Sequence, residues 1–259
     1  MIDMHAHICT YEEEARALEE LAYRSAAGIH TWFSTGTPGQ YRVVNGLLQK
    51  LPYSAASLFS VTFGIHPWFA DQWDPADWRS LYRSCPVIGE IGMDSLWCDV
   101  PLKRQEKVFE TQLAIAADLK KPIVLHTKDC EQRIAQMVKD YPCPVLVHWY
   151  SGDRKTLHRF LDQGCYFTLG PDADMLLLQN VPADHMFVET DGLDAILWAM
   201  HKNMERDFSL IAETLNTSVR AIARQHSMSV HQTMNQLEQN LNRFLAEDIS
   251  GRSGILRRT

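Results

Sequence analysis

The chain has 259 residues, of which 46% are hydrophobic and 22% are charged, and this composition excludes extended disorder and collagen-like repeats. There are 25 Lys and Arg residues against 32 Asp and Glu residues, and the net charge of −7 argues against a broad basic surface for coating duplex nucleic acid. The six cysteines lie far apart in the sequence, without zinc-finger or disulfide-framework spacing. The length fits one large α/β domain or two small ones.

Neither an export signal nor a membrane span is predicted. The first ten residues, MIDMHAHICT, contain an acid and two histidines where a signal peptide needs a basic start and an apolar run. The longest uncharged stretch, residues 51–70, is interrupted by Pro52, Gly64 and Pro67, which is typical of a soluble interior segment. We therefore expect a cytoplasmic protein that does not contact membranes, and no obligate protein partner is evident.

Short apolar runs alternate with longer amphipathic ones along the first 190 residues. The short runs are rich in Val, Ile and Phe and mostly lack polar alternation, which predicts strands buried on both faces. Eight strands are predicted, at residues 1–4, 29–33, 58–63, 87–91, 123–125, 145–147, 166–169 and 186–188. Helical patterns lie between them, at residues 12–26, 40–51, 102–121, 131–141 and 154–164.

This order of elements predicts the fold class. Repeated strand–helix–strand units imply parallel strands with right-handed crossovers, and eight units in roughly 250 residues fit a closed (β/α)8 TIM-type barrel. An open doubly wound sheet is the alternative. After residue 200 the pattern is helical throughout, and no linker rich in Gly, Pro or Ser appears. We predict a single domain over residues 1–259, with the barrel over about 1–200 and extra C-terminal helices over about 201–250 packed on its outside.

Ionisable residues fall at the carboxyl ends of the predicted strands. In a parallel barrel these ends converge on one mouth, where enzymes of this fold keep their active sites. Residues that are remote in sequence would therefore become neighbours in space. The residues so placed are His5 and His7 at the first strand, His66 after the third, Glu90 at the fourth, His126 at the fifth, His148 at the sixth and Asp191 after the eighth.

The residue types at this mouth predict a metal site. Imidazole nitrogens with carboxylate oxygens suit Zn, Mn, Fe or Ni better than Mg or Ca. A single histidine of this kind is more often structural than a ligand, and the joint placement at strand ends is what favours a metal site. Six candidate ligands, leaving His66 aside, exceed what one tetrahedral ion needs. Because a carboxylate can bridge, the count favours two metal ions.

Six short motifs occur in a characteristic order and spacing. They are H-A-H at 5–7, G-I-H-P at 64–67, I-G-E-I-G-M-D at 88–94, L-H-T-K-D at 125–129, H-W-Y-S-G at 148–152 and E-T-D at 189–191. The run Gln105, Phe109, Gln112, Leu113 and Pro122 adds to the pattern. Together they resemble the successive signatures of the TatD family of metal-dependent deoxyribonucleases, over about residues 1–195. The resemblance fades in the C-terminal helices.

This resemblance implies an amidohydrolase-superfamily barrel that holds two divalent ions, Zn, Mg or Mn. It places His5, His7 and Asp191 around one ion and His126 and His148 around the other, with Glu90 as the bridge. It implies that water held at the metals attacks a phosphodiester phosphorus, with Asp191 as general base. His66 would contact the phosphate or the leaving group, although a histidine that only holds the turn before Pro67 is the structural alternative.

The candidate substrate contacts depart from the family in part. Lys128 stands where the family usually shows arginine, and it would meet a phosphate as a point charge. Four aromatic residues near the mouth could stack bases of a single strand or only cover the rim: Trp68, Trp97, Trp149 and Tyr150. After E-T-D the chain reads Gly192, Leu193, Asp194 and Ala195 instead of the family's small residue, proline and aromatic residue. The segment Ser95–Cys98 also departs from the family.

The sequence therefore predicts a hydrolase acting on ester bonds, a TatD-type deoxyribonuclease with 3′–5′ exonuclease activity on single-stranded DNA or 3′ ends. Its catalytic residues would be Asp191, Glu90 and His66. One alternative keeps the metals and changes the substrate to a cyclic amide, lactone or small phosphoester. The second is a non-catalytic metal-binding scaffold. Basic residues gathered at the mouth would favour nucleic acid, and the candidates are Lys103, Arg104, Lys128, Arg154 and Lys155.

Overall fold

The computed structural model describes residues 1–8, 13–201 and 207–246. All eight predicted strands form. They are β1 (Ile2–Ala6), β2 (His30–Phe33), β3 (Phe59–Val61), β4 (Ile88–Asp94), β5 (Ile123–Lys128), β6 (Val145–Val147), β7 (Tyr166–Leu169) and β8 (Met186–Val188).

The strands close into a barrel. Strands β1 to β3 pair in parallel order, as do β4 to β8. A parallel bridge between Phe63 and Ile88 joins the two sets on one side. On the other side the Asp191 amide donates to the His5 carbonyl at 3.0 Å. The predicted (β/α)8 barrel is confirmed, and the open sheet is wrong.

Eleven α-helices lie among the described residues, and they surround the strands. Thr37 begins α2 by accepting a hydrogen bond from the Gln40 amide, and Ser229 with Gln232 forms a capping box at the start of α11. Within the described part of the chain, no helix combines the length and the apolar character needed to cross a membrane. The helices are α1 (Glu14–Ala26), α2 (Pro38–Gln49), α3 (Tyr53–Ala56), α4 (Arg79–Ser84), α5 (Leu102–Asp118), α6 (Glu131–Met137), α7 (Arg154–Asp162), α8 (Met175–Asn180), α9 (Leu193–Ala199), α10 (Ser209–Gln225) and α11 (Val230–Leu245).

The last two helices share the core of the barrel. Leu215 and Ile222 of α10 are buried in the same hydrophobic cluster as the strands β4 to β8. The ring of Phe244, on α11, lies 5.6 Å from the Tyr166 ring and 6.0 Å from the Phe187 ring. The predicted C-terminal helices thus pack on the outside of the strands. The predicted domain limits also include residues 202–206 and 247–259, which lie outside the described residues, as does residue 12 of the first predicted helix.

Three strands extend further toward the mouth than the apolar runs predict. Strand β4 ends at Asp94 and β5 at Lys128, so Asp94 and His126 lie within their strands, as His5 does in β1. The apolar-run rule ends a strand where the apolar run gives way to glycine or polar residues. In this barrel the inward face near the mouth is lined by polar side chains while the backbone ladder continues, and the rule therefore stops too early.

A buried ion network ties β1 to α1 below the mouth. The Arg24 guanidinium donates to Asp3 at 2.7 Å and to Glu20 at 2.7 Å, and none of the three side chains is exposed. Asp3 in turn accepts hydrogen bonds from the amide and the hydroxyl of Thr190, at 2.9 and 2.6 Å. The network therefore fixes the backbone immediately before Asp191.

Replacing Arg24 is expected to destabilise the protein strongly. Arg24→Met leaves two buried carboxylates without their cation, and breaking such a pair costs about 3–5 kcal/mol of unfolding free energy. Lys50→Met is the matched control, because Lys50 pairs with Glu14 at 2.5 Å on the surface, where a pair contributes less than about 1 kcal/mol. Urea titration of both variants measures the difference. Equal stabilities would contradict the role given to the network.

Candidate metal centre

Strand alternation aims the polar side chains into the mouth. Side chains two residues apart on a strand share a face, so Glu90 and Asp94 of β4 both point inward, as do His126 and Lys128 of β5. Between the two carboxylates stands Gly92, where a Cβ would overlap the carbonyl oxygen of His126. The glycine therefore allows β4 to approach β5 closely enough to bring Glu90 beside His126.

The first donor group consists of His5, His7, Glu90 and Asp191. The Nε2 atoms of the two histidines lie 3.3 Å apart. Each lies 3.3–3.4 Å from Glu90 Oε2 and 3.4 Å from Asp191 Oδ1. Neighbouring ligands about 2.1 Å from one ion lie about 3.0–3.4 Å apart, so these five distances are compatible with Zn–N and Zn–O bond lengths. The donor set and its spacing fit one divalent ion.

The second donor group gathers around the other oxygen of Glu90. His126 Nδ1 lies 2.5 Å from Glu90 Oε1, and His148 Nε2 lies 2.8 Å from the same oxygen. His66 Nε2 is farther away, at 3.5 Å. The His5 and His148 rings stack at 4.1 Å, so the two groups adjoin. One carboxylate thus faces two sets of imidazoles, one with each oxygen.

Hydrogen bonding indicates which nitrogen of His126 is available to a metal. Its Nε2 lies 3.0 Å from Asp94 Oδ2. A carboxylate only accepts, so Nε2 carries a proton. Nδ1 lies 2.5 Å from Glu90 Oε1, which also only accepts, so a proton or a metal ion must lie between these two atoms. Asp94 therefore orients His126 as outer carboxylates orient metal-binding histidines.

A buried carboxylate also lies behind His148. The His148 Nδ1 lies 3.5 Å from Glu189 Oε1, and Glu189 is fully buried. Among the described residues, the buried polar atoms without a hydrogen-bond partner include both ring nitrogens of His148 and Asp191 Oδ1. Leaving such atoms unsatisfied is costly, and His148 Nε2 and Asp191 Oδ1 both point into the donor groups. This is a second observation that fits a bound cation.

His66 presents a proton rather than a lone pair to the site. Its Nδ1 accepts a hydrogen bond from the Trp68 amide at 3.3 Å, so the neutral ring carries its proton on Nε2. Burial lowers the pKa of His66 to about 4, and the nearby charge of His126 acts in the same direction. The neutral His66 therefore donates from Nε2, which suits contact with a phosphate oxygen better than metal binding.

The charges of the site are strongly coupled. Burial opposes ionisation of Glu90, but the surrounding histidines, His148 first, hold its pKa well below the usual range. Burial likewise opposes ionisation of Asp191, yet the contact with His5 and the charge of His7 lower its pKa to about 2. Burial would lower the pKa of His5, but the charge of Glu90 and the contacts with Asp191 and Glu90 together outweigh burial and raise that pKa to about 10. Two carboxylates thus remain anionic in a buried pocket that attracts cations.

Two buried glutamines on α5 fix the backbone beside the donors. Gln105 accepts from the Asp94 amide at 2.8 Å and donates to its carbonyl at 2.9 Å. Gln112 does the same to Ile65, at 2.6 and 3.0 Å. These are the glutamines of the sequence run between the fourth and fifth strands. One helix therefore sets the positions of Asp94 and of the residue before His66.

The predicted substrate contacts lie at the rim of the same mouth. Lys128 is buried, and its ammonium donates to the Trp149 carbonyl at 2.5 Å, which uses one of its three N–H donors. Trp149 is half-buried, and its Nε1 donates to Asp172 at 2.9 Å. Tyr150 is 1% exposed and its hydroxyl donates to the Asp153 carbonyl, so the suggestion that it stacks bases is wrong.

Two functional residues were missed by sequence reasoning although both stand inside the quoted motifs. Asp94 and Glu189 were not assigned roles, yet they contact His126 and His148. For Asp94 the signal is the strand period, because it lies four residues after Glu90 on β4. Glu189 directly follows β8 and lies two residues before Asp191. A carboxylate in register with a ligand on the same strand face is a candidate for orienting the neighbouring ligand.

Removing the Asp94 charge is expected to weaken metal binding. Asp94→Asn takes from His126 the acceptor that fixes its tautomer, and losing such an outer contact lowers metal affinity about 10- to 100-fold. Isothermal titration of the stripped protein with Zn²⁺ measures the change. The control is Asp129→Asn, which removes a rim carboxylate that accepts from the Ser95 hydroxyl and contacts neither histidine. An Asp94→Asn variant with wild-type affinity would contradict the orienting role.

The barrel and its His and carboxylate donors define a metal-dependent hydrolase. The family model for TatD related DNase matches residues 2–246. A 3′-5′ ssDNA/RNA exonuclease TatD from Pectobacterium atrosepticum is 31% identical over 210 residues, which cover 74% of this chain and 79% of that protein. The human 3′-5′ RNA nuclease TATDN2 is 27% identical over 200 residues, 70% of this chain and 26% of the human protein.

A solved structure agrees with the fold. The crystal structure of YjjV, a TatD homologue from Escherichia coli K12, superposes with a TM-score of 0.77 at 18% identity, covering 94% of this chain and 97% of the homologue. The chain belongs to the TatD-related DNase family. The resemblance inferred from the six motifs is confirmed, and with it the assignment to hydrolases of phosphodiester bonds.

Proposed function

We propose that this protein is a nuclease that uses two divalent ions to remove nucleotides from the 3′ end of single-stranded DNA or RNA. The observation that carries the proposal is the position of Glu90, whose Oε2 lies 3.3 Å from His5 and whose Oε1 lies 2.8 Å from His148. A carboxylate that faces two imidazole groups is suited to bridge two ions about 3.5–4 Å apart, the arrangement used in phosphoryl transfer.

Each donor group has its own role in this proposal. His5, His7 and Asp191 would hold one ion, His126 and His148 the other, and Glu90 both. When bound, Zn²⁺, Mn²⁺ or Mg²⁺ supplies Lewis acidity that neutralises phosphoryl oxygens and lowers the pKa of the attacking water. Asp191 accepts the proton of that water. It is 18% exposed whereas Glu90 is 2% exposed, so the proton can pass from Asp191 to solvent.

The remaining residues bind the substrate. His66 donates from Nε2 to a phosphate oxygen or to the leaving oxygen, and Lys128 contributes positive charge beside the donors. Basic residues also stand in the first turns of α5 and α7, whose starts lie on the mouth side of the barrel. They favour a polyanionic substrate, and they are Lys103, Arg104, Arg154 and Lys155.

The test is hydrolysis by protein that has been stripped with a chelator and resupplied with Mg²⁺, Mn²⁺ or Zn²⁺. A single-stranded DNA and an RNA of the same sequence are labelled at either end. We expect immediate release of a labelled mononucleotide from the 3′-labelled strands and a ladder from the 5′-labelled strands, only with metal. Intact strands together with hydrolysis of a lactone or cyclic amide would replace the nuclease by the small-molecule enzyme.

A further inference from the structure

Three tryptophans from separate segments meet at the mouth and form what we call the tryptophan clamp: Trp97, Trp149 and Trp198. The Trp198 ring lies edge-on to both others, 6.2 Å from Trp97 and 5.9 Å from Trp149. Trp97 is 52% exposed and Trp198 is 62% exposed, so large flat aromatic surfaces face solvent. Exposed aromatic surface in one place indicates a binding site rather than packing.

The clamp spans the mouth. Trp97 follows β4 and Trp149 follows β6, whereas Trp198 stands on α9, after β8. In a closed barrel of eight strands β8 and β4 are diametrically opposite, so the contact between Trp198 and Trp97 crosses the opening. Trp97 lies in the segment Ser95–Cys98, and Trp198 lies three residues after Ala195.

The clamp is attached to the same carboxylates that contact the metal-site histidines. Asp94 Oδ1 accepts from the Trp97 amide at 2.8 Å while its Oδ2 contacts His126. Glu189 Oε1 accepts from the Trp149 amide at 2.9 Å and lies near His148. The position of the clamp relative to both donor groups is thus fixed by two short links, which suits a subsite next to the reacting bond.

A cation lies beneath the clamp. The Lys128 ammonium lies 5.8 Å from the centre of the Trp97 ring and 5.6 Å from that of Trp149. Aromatic surfaces beside a buried positive charge suit a ligand with a flat π-face and a neighbouring anionic group, as a nucleotide unit has. A purely apolar partner would leave this charge uncompensated.

We propose that the tryptophan clamp stacks the base of the 3′-terminal nucleotide of a single strand and so places the adjacent phosphodiester at the donor groups. This inference rests on the proposed function, because the nucleotide is the substrate of the same mouth. Stacking on Trp198 makes the clamp tolerant of base identity and dependent on the presence of a base. A terminal base held in a duplex cannot offer its face to the clamp.

The test compares two fluorescein-labelled pentanucleotides, one ending in a 3′ thymidine and one ending in an abasic residue. A phosphorothioate at the last linkage slows hydrolysis, so the Mn²⁺-loaded protein can be titrated by fluorescence anisotropy. We expect wild type to bind the thymidine probe about 5- to 150-fold more tightly than the abasic probe. Trp198→Ala should bind both probes equally, and Trp198→Phe should restore part of the difference.

The control is Leu96→Ala, since Leu96 is 58% exposed on the same loop as Trp97 but lines a separate cavity beside Gln132 and Gln136. The Leu96→Ala variant should discriminate between the thymidine and abasic probes as wild type does. Equal binding of both probes by wild type, no binding of either, or full discrimination by Trp198→Ala would overturn the clamp. Mononucleotide release from an unmodified strand is scored separately. Release without discrimination rejects the clamp alone, and discrimination without release rejects the nuclease alone.

Discussion

Glu90→Gln is expected to abolish hydrolysis, with a fall in kcat of at least about 1,000-fold, because both ions lose a shared ligand. The substitution keeps the shape of the side chain and replaces one charged oxygen by an amide that cannot bridge two cations. The remaining imidazoles of each group are left with at most one other carboxylate. Metal analysis of the purified variant should show fewer than one bound ion for each chain.

Glu106→Gln is the matched control for this change. Glu106 pairs with Arg133 on the surface between α5 and α6, away from the donor groups. The Glu106→Gln substitution removes the same charge as Glu90→Gln, and this variant should retain wild-type activity and metal content. A Glu90→Gln variant that keeps two ions and turns over within tenfold of wild type would show that Glu90 does not bridge.

Asp191→Asn is expected to lower kcat by about 100- to 10,000-fold while leaving one ion bound. Asp191 contacts only the first donor group, where its Oδ1 lies 3.4 Å from both His5 and His7. The amide can neither take a proton from water nor offer the same charge to an ion. The second group, around Glu90 Oε1, retains His126 and His148. Metal content and kcat are measured on the same preparation.

Asp184→Asn serves as the control for Asp191→Asn. Asp184 is exposed in the turn before β8, at the opposite end of the barrel from the mouth. The Asp184→Asn variant should bind two ions and retain the wild-type rate. If Asp191→Asn instead lost both ions, the two groups would act as one cooperative site. If it kept the wild-type rate, another group would serve as the base.

Much of the barrel could be predicted from sequence because its strands are apolar on both faces. Runs such as 145–147 and 186–188 match β6 and β8 residue for residue, since no polar side chain interrupts them. The prediction was less accurate where strands enter the mouth. There β4 continues to Asp94 although its inward side chains are polar, because these side chains form the site. Hydropathy alone cannot distinguish such a strand end from a loop.

The candidate ligands could be predicted because topology collects strand ends at one place. His126 and Glu90 are 36 positions apart in the sequence and still meet at 2.5 Å. The tryptophan clamp could not be predicted in the same way. Trp198 lies on a helix after the last strand, and only the path of α9 across the mouth brings it to Trp97. Loop paths depend on packing, which has no short sequence period.

The measurement that tests the two-ion account most directly is a titration of chelator-stripped protein with Mn²⁺, with release of the 3′-terminal nucleotide followed at each addition. Tight binding at protein concentrations well above the Kd makes the endpoint a count of ions. The account predicts that the rate stays low through the first equivalent and reaches its plateau at two. A full rate at one equivalent, or in the stripped protein without added metal, would contradict it.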